Sequence, residues 1–313
     1  VLFPFCILPL TGLVVKYNRH FFFRSRLTVN FAVQTLSMKY LIMLSPWWAC
    51  ACYAQPSLLP VSFPYTSINA YSIKFADAFS VSSNQALLPF ITTPVAGIYA
   101  ERRFMLKELN ACAAAMAWPL KHSGAGIAIN YFGSRQFNTS DISIGYGRAL
   151  DENIAAGIQF NYTMVRAAGY GSSNMFNGGV GLLWRATDKV YVGMHVDNPA
   201  GSRFGENAQE KTAFVYRGGV GYEANDKVFT SVEITKEEGQ PPGINAGVQY
   251  IFAKQLVVRM ALATANNNYY VGMGWQWKTF RVDIVTAFHT QLGYTPALLL
   301  LFRFKDEPNN VQP

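Results

Sequence analysis

Alternation constrains this chain more than any other feature. In residues 154–166 the even positions read Ile154, Ala156, Ile158, Phe160, Tyr162 and Met164. The odd positions read Ala155, Gly157, Gln159, Asn161, Thr163 and Val165. Residues 268–278 repeat the pattern with the parity reversed: Tyr269, Val271, Met273, Trp275 and Trp277 against Tyr270, Gly272, Gly274, Gln276 and Lys278. Residues 244–252 set Ile244, Ala246, Val248, Tyr250 and Phe252 against Asn245, Gly247, Gln249 and Ile251. A period of two sends successive side chains to opposite faces of an extended strand, which excludes a helix for these segments.

Turn signals divide the chain from residue 95 into fourteen such segments. They start near Val95, Leu109, Ala125, Ser140, Ile154, Met175, Val190, Thr212, Val228, Gly243, Leu256, Asn268, Arg281 and Thr295, and the last ends near Phe304. The spacing is about 15 residues, of which a membrane-crossing strand takes about 9–11. Tight connections are expected at 121–124, 151–153, 187–189, 225–227, 253–255 and 278–280, and longer ones at 133–139, 167–174, 198–211, 236–242 and 291–294. Short turns at one end, longer loops at the other and an even strand count predict an all-β fold. The fold is a transmembrane antiparallel up-and-down β-barrel of about 14 strands, with both termini on the short-turn side.

Composition agrees. Only 14% of residues are charged and 50% are hydrophobic, against about 25% charged in a soluble globular chain. The net charge of +8 is weighted to one end: Lys16, Arg19, Arg24, Arg26 and Lys39 precede residue 55, where no acidic residue occurs. The remainder is nearly balanced and has no clustered basic face of the kind that binds nucleic acid. Cys6, Cys50 and Cys52 also precede residue 55, leaving Cys112 alone, and Cys50-Ala51-Cys52 matches no zinc spacing.

The apolar parity carries two sets of aromatics. Trp118, Tyr146, Trp184, Tyr222, Tyr250, Trp275 and Trp277 stand toward the tight turns. Phe104, Tyr131, Tyr162, Phe176, Phe214, Tyr216, Tyr269 and Phe288 stand toward the longer loops. A soluble β-sandwich would also alternate, but it would bury these rings in one core rather than sort them into two belts. The opposite parity predicts the lumen lining: Glu101, Arg103, Arg185, His195, Asp197, Arg217, Glu223, Glu233, Arg259, Arg281 and Asp283. Both signs are present. The first expectation is a structural ion-pair network, since unpaired buried charge is costly, and the alternative is a polar path for solute.

The N-terminal third reads differently. Met38-Lys39-Tyr40, an apolar stretch to Ala49 and small residues in Cys52-Tyr53-Ala54 predict a signal peptide at 38–54, cut before Gln55. Lipidation at Cys52 is the lesser alternative, because no Leu stands three residues before it. Residues 1–37 read as a non-native upstream extension, 94–304 as the barrel and 305–313 as a C-terminal tail. Residues 55–93 have no strand repeat, and 67–80 suggest a short helix or turn.

Asn84, Gln85, Ala86 and Leu87, together with 97–109 and 144–150, resemble the fatty-acid transporter-like (FadL-like) barrels. They also resemble the related PorV/PorQ-type outer-membrane proteins of Bacteroidetes. In that group the stretch reads Asn-Pro-Ala-Gly-Leu; here Gln85 replaces the Pro and the Gly is missing. The resemblance implies a 14-stranded barrel with residues 55–93 as an N-terminal plug, in the bacterial outer membrane. It implies transport of a hydrophobic or small solute, or alternatively a non-transporting barrel that docks with a type IX protein secretion system. The partners implied are outer-membrane lipid, a hydrophobic ligand and secretion-system proteins.

Enzyme chemistry is not expected. His122, His195 and His289 follow residue 55 without a Gly-x-Ser-x-Gly elbow. Gly145-Tyr146-Gly147 and Gly272-Met273-Gly274 fall inside strands, so they are not phosphate cradles. No catalytic residue, cofactor or metal site is predicted.

Overall fold

The computed structural model describes residues 67–204, 210–253 and 255–304. The expected upstream extension, signal peptide and C-terminal tail, and the first part of 55–93, lie outside the described residues.

Fourteen antiparallel strands close into one barrel. They are β1 (Val95–Arg102), β2 (Asn110–Leu120), β3 (Ser123–Gly133), β4 (Phe137–Ala149), β5 (Ile154–Ala167), β6 (Gly171–Arg185) and β7 (Val190–Asp197). After a two-residue ribbon, β8 (Arg203–Phe204) with β9 (Glu210–Lys211), come β10 (Val215–Glu223), β11 (Val228–Glu237), β12 (Gly243–Ala253) and β13 (Leu256–Ala263). The last are β14 (Asn268–Trp277), β15 (Phe280–His289) and β16 (Gly293–Arg303). Each barrel strand pairs with its sequence neighbours, and β1 meets β16 from Val95↔Arg303 to Glu101↔Ala297. Closure leaves no strand edge, which is what lets a sheet satisfy its backbone groups away from water.

The tight connections are held by their own side chains. Asn225 Oδ1 accepts from the backbone N–H groups of Lys227 and Val228, both at 2.9 Å. Asp151 Oδ1 accepts from Asn153 N at 2.9 Å. These are the local turn bonds that Asn and Asp favour. His122 and Lys278 take φ of 56° and 53° in two of the shortest hairpins.

Connections at the other end are shorter than the residue types suggest. β3 and β4 join through 134–136, β5 and β6 through 168–170, and β15 and β16 through 290–292. Ser172, Ser173 and Asn174 are loop-like in composition, yet they pair with Arg166, Val165 and Met164. Backbone pairing is indifferent to side-chain polarity where both faces of a strand can meet water. The long connections are 103–109 and 198–214. In the first, Phe104 and Met105 both have positive φ, 51° and 61°, an uncommon backbone for side-chain-bearing residues.

The parity divides the barrel as the alternation predicts. Ile158, Val180, Val248 and Val271 face outward and are exposed, as are Trp184, Tyr222 and Trp275 near the tight turns and Tyr269 and Phe288 toward the other end. Such a continuous apolar exterior does not suit water. The inward positions carry Gly, Ala, polar residues and the buried charges. No helix among the described residues is long and apolar enough to cross a membrane.

Candidate functional site: the occupied lumen

The lumen is not empty. Residues 67–91 run inside the tight-turn half of the barrel, and Ala78, Val81, Ala86, Leu87 and Leu88 are fully buried there. Local bonds shape the segment. Asp77 N donates to Ser80 Oγ (3.0 Å), and Asp77 Oδ1 accepts from Phe79 N (2.9 Å), which starts the short helix Ser80–Ser83. Asn84 Oδ1 then accepts from Ala86 N (3.1 Å) and caps the 3-10 turn Gln85–Phe90, the usual work of Asn at a helix start. Phe79, Val81 and Leu88 pack in one apolar cluster with Ala115, Ala117, Ala128, Leu299 and Leu301 of the wall. Ile68 and Tyr71 pack with Phe229.

Inward glycines make the room. A Cβ on Gly124 would lie 2.1 Å from Leu88 O, and one on Gly147 would lie 2.2 Å from Gln85 O. Both approaches are backbone to backbone, closer than any side chain permits. The alternation marks these positions only as small. What they are small for is set by the segment, which touches Gly157 and Gly181 through Gln85 and Asn84, and Gly193 and Gly221 through Tyr71.

Polar contacts fasten the segment on two sides. Tyr71 Oη donates to Glu233 Oε2 at 2.6 Å, while Glu233 Oε1 accepts from Asn245 Nδ2 (2.7 Å) and Thr235 Oγ1 (3.2 Å). Ser72 Oγ donates to Glu223 Oε1 (3.2 Å), and Lys74 Nζ pairs with Glu223 Oε2 (2.8 Å). On β5 and β6, Gln85 Nε2 bonds Gln159 Oε1, and Asn84 Nδ2 reaches Leu182 O at 3.4 Å. Asn84, Gln85, Ala86 and Leu87 are therefore all buried, in contact with β5 and β6.

The charged candidates fall into separate groups. Arg259 and Arg281 converge on Asp283, with Arg259 Nη1 at 2.5 Å from Oδ2 and Arg281 Nε at 2.9 Å from Oδ1, and Arg259 Nε also donates to Gln249. Arg217 Nη1 pairs with Asp197 Oδ2 (2.8 Å) and lies 3.0 Å from His195 Nδ1. A guanidinium only donates, so His195 Nδ1 accepts and Nε2 carries the proton, 3.4 Å from Asp197 Oδ1. Glu223 and Glu233 hold the internal segment. Glu101 accepts from Tyr99 Oη and from Arg103 Nε (3.3 Å), but Arg103 lies beyond β1 in the 103–109 connection rather than in a strand. Arg185 stands apart at the tight-turn rim, paired with Asp188 of its own turn at 2.7 Å.

A further polar wall on β3–β6, centred on the single carboxylate Asp141, stands outside the charged positions that alternation singles out. Asn130, Asp141, Ser143, Asn161, Thr163 and Asn177 face inward above the segment. Asp141 Oδ2 accepts from Asn130 Nδ2 (3.2 Å) and Ser143 Oγ (2.9 Å), and its Oδ1 accepts from Thr163 Oγ1 (2.7 Å). The odd positions of 154–166 signal this wall, since Gln159, Asn161 and Thr163 alternate with apolar neighbours. Of the other histidines, His122 sits in a tight turn, and His289 Nδ1 accepts from Gln291 N and Leu292 N.

Fold and lumen together define a class: a closed fourteen-stranded antiparallel barrel with an apolar outside and a polar inside occupied by its own chain. A search of protein families and of curated proteins finds no match to the sequence. Solved structures share the fold. CymD, a monoaromatic hydrocarbon channel, aligns with a TM-score of 0.58 at 11% identity, over 79% of this chain and 97% of its own. The Pseudomonas putida toluene transporter TodX aligns with a TM-score of 0.52 at 10% identity, over 71% of this chain and 91% of its own. One is named as a channel and the other as a transporter. At such identities the likeness is one of architecture.

Proposed function

We propose that this chain is an outer-membrane channel, seated in lipid by its two aromatic belts, that passes a hydrophobic or small solute. Residues 55–93 act as its plug. The observation that carries this reading is the internal segment. It fills the tight-turn half of a barrel against inward glycines, and side-chain contacts to two sectors of the wall, β10–β11 and β5–β6, tether it. Where the wall is glycine the segment meets flat backbone, so the polar tethers and the apolar clusters around Val81 and Tyr71 are what hold it in place. The fold shared with a hydrocarbon channel and a toluene transporter supports an apolar or small cargo. The mature chain is proposed to begin at Gln55.

The test is a reversible lock. In a Cys112→Ser background, Gln85→Cys and Gln159→Cys leave two thiols flanking the gap that the two amides now fill, and a short bis-thiosulfonate linker joins them through reducible disulfides. Linking is expected to abolish solute flux through the reconstituted barrel, and reduction to restore it. Flux that ignores the lock overturns the plug reading.

A second reading, a sealed barrel that docks with type IX secretion machinery, draws on the PorV/PorQ resemblance and on the depth of the segment's burial. It expects no flux in either redox state, and it expects loss of protein secretion when 198–214 is shortened.

A further inference from the structure

The internal segment meets the wall in two unlike ways. Against β15, β16 and β1–β3 the contact is apolar: Phe79, Val81 and Leu88 pack with Ala117, Leu299 and Leu301. Across the ring, seven strands from β1 in either direction, stands β10. On β5–β7, β10 and β11 the contact is polar or bare. There Gln85 bonds Gln159, Ser72 and Lys74 hold Glu223, and Tyr71 Oη donates to Glu233. The Tyr71 ring lies against Gly193 and Gly219, where an added Cβ would come within 2.8 Å and 2.6 Å of it. The apolar contacts on this side are two smaller clusters, Leu87 with Leu183 and Tyr191, and Tyr71 with Phe229.

The two faces differ in what separation costs. Hydrogen bonds broken at the polar face are remade with water, so their net loss is small. Glu233 keeps Asn245 and Thr235 as donors when the phenol leaves. Gln85 Oε1, buried without a hydrogen-bond partner among the described residues, gains one from water. Apolar surface uncovered at the other face recovers nothing of the kind, because water offers it no bond and resists wetting it.

We infer that the plug opens on one side only, and that the path so opened carries small uncharged polar solutes. The segment stays packed on β15, β16 and β1–β3 and parts from β5–β7, β10 and β11. Gln159, Arg217, Glu223 and Glu233 are the buried inward groups of the face that is freed. An amide and charges of both signs exchange hydrogen bonds with a polyol, whereas a hydrocarbon would strip water from them and return no bond. The inference rests on the plug reading and names the class of solute that reading leaves open.

The experiment is osmotic swelling of liposomes that hold the full chain, with arabinose as the probe. Two forms, each with all native cysteines replaced by serine, carry one linkable pair. Gln85→Cys with Gln159→Cys joins the polar face, and Phe79→Cys with Leu301→Cys joins the apolar face, each through the same reducible linker. The polar link is expected to stop swelling and the apolar link to leave its rate unchanged. Should a pair fail to fold, single substitutions test the same point. Tyr71→Phe weakens a contact that only the closed segment makes, and should speed swelling roughly 5- to 150-fold. Phe79→Leu weakens a contact kept in both states, and should leave the rate alone. If the apolar link stops swelling, or Phe79→Leu speeds it as Tyr71→Phe does, the segment moves as a unit; the one-sided opening falls and the plug reading stands. Swelling that ignores both links overturns the plug reading itself. An unlinked chain that admits no arabinose overturns the polar path.

Discussion

Gly147→Ala separates the barrel from what it contains. Gly147 lies on the inner face of β4, paired with Gly124 of β3 and Gly157 of β5. It is not one of the glycines with positive φ, so its backbone suits alanine. On strand propensity alone the change is neutral to favourable, because glycine in a strand interior costs entropy. The lumen reverses that sign. The new Cβ would lie 2.2 Å from Gln85 O and 2.9 Å from Pro89 Cδ. Carbonyl oxygen and methyl carbon need more than 3 Å, so the Gln85 backbone must retreat by about 1 Å, a strain of the overpacking kind worth about 1–3 kcal/mol. The barrel ladder bears none of this, since every atom met belongs to the internal segment.

Hydrogen exchange reads the difference. The Leu87 amide is bonded to Asn84 O at 3.0 Å in the segment. Its exchange should rise roughly 5- to 150-fold for about 1–3 kcal/mol, while amides of β4 and β5 keep their protection. Gly218→Ala on the outer face is the control, because its Cβ would meet only Gly193 O at 3.9 Å. If the two variants leave Leu87 exchange alike, the segment does not sit against Gly147 and the packing argument fails.

Three further outcomes are expected. Val248→Arg on the outer face should cost about 2–4 kcal/mol in denaturant titrations of the lipid-reconstituted barrel, falling to about 0–1 for Arg at Ala253 beside a tight turn; equal costs would deny a depth-dependent lipid face. Tyr71→Phe strips Glu233 of one donor and leaves it Asn245 and Thr235, so protease nicking of the segment should rise by an amount matching about 1–3 kcal/mol, with the barrel intact. Asp283→Ala leaves Arg259 and Arg281 facing each other in the lumen and should destabilise the barrel itself by about 3–5 kcal/mol on unfolding; an undiminished midpoint would show that these arginines do not depend on Asp283.

The contrast between those variants reflects what each level of description controls. Strand number, parity and the outward belts are local properties: alternation is written in consecutive residues, and a strand such as 268–277 shows both faces without reference to any neighbour. Val248 outward and Gly247 inward follow from that alone. The ends of strands were less legible. Ser172, Ser173 and Asn174 pair as strand because their partners across the hairpin do, although their composition is that of a loop. Arg103 shares the inward parity of the first strand, but two left-handed residues after it turn the chain away.

Contacts inside the lumen lie beyond local reading altogether. Tyr71 and Glu233 stand 162 residues apart, and only closure of the barrel with the segment inside brings phenol and carboxylate together. Parity marks Arg259, Arg281 and Asp283 as inward, but the strand registers decide that two arginines share one aspartate. Alternation alone does not single out Asp141, and its place opposite Asn130 and Thr163 is what gives it neutral donors instead of a cation. A period of two tells each residue which way to face. Register and closure, which sum over the whole sheet, decide whom it meets there.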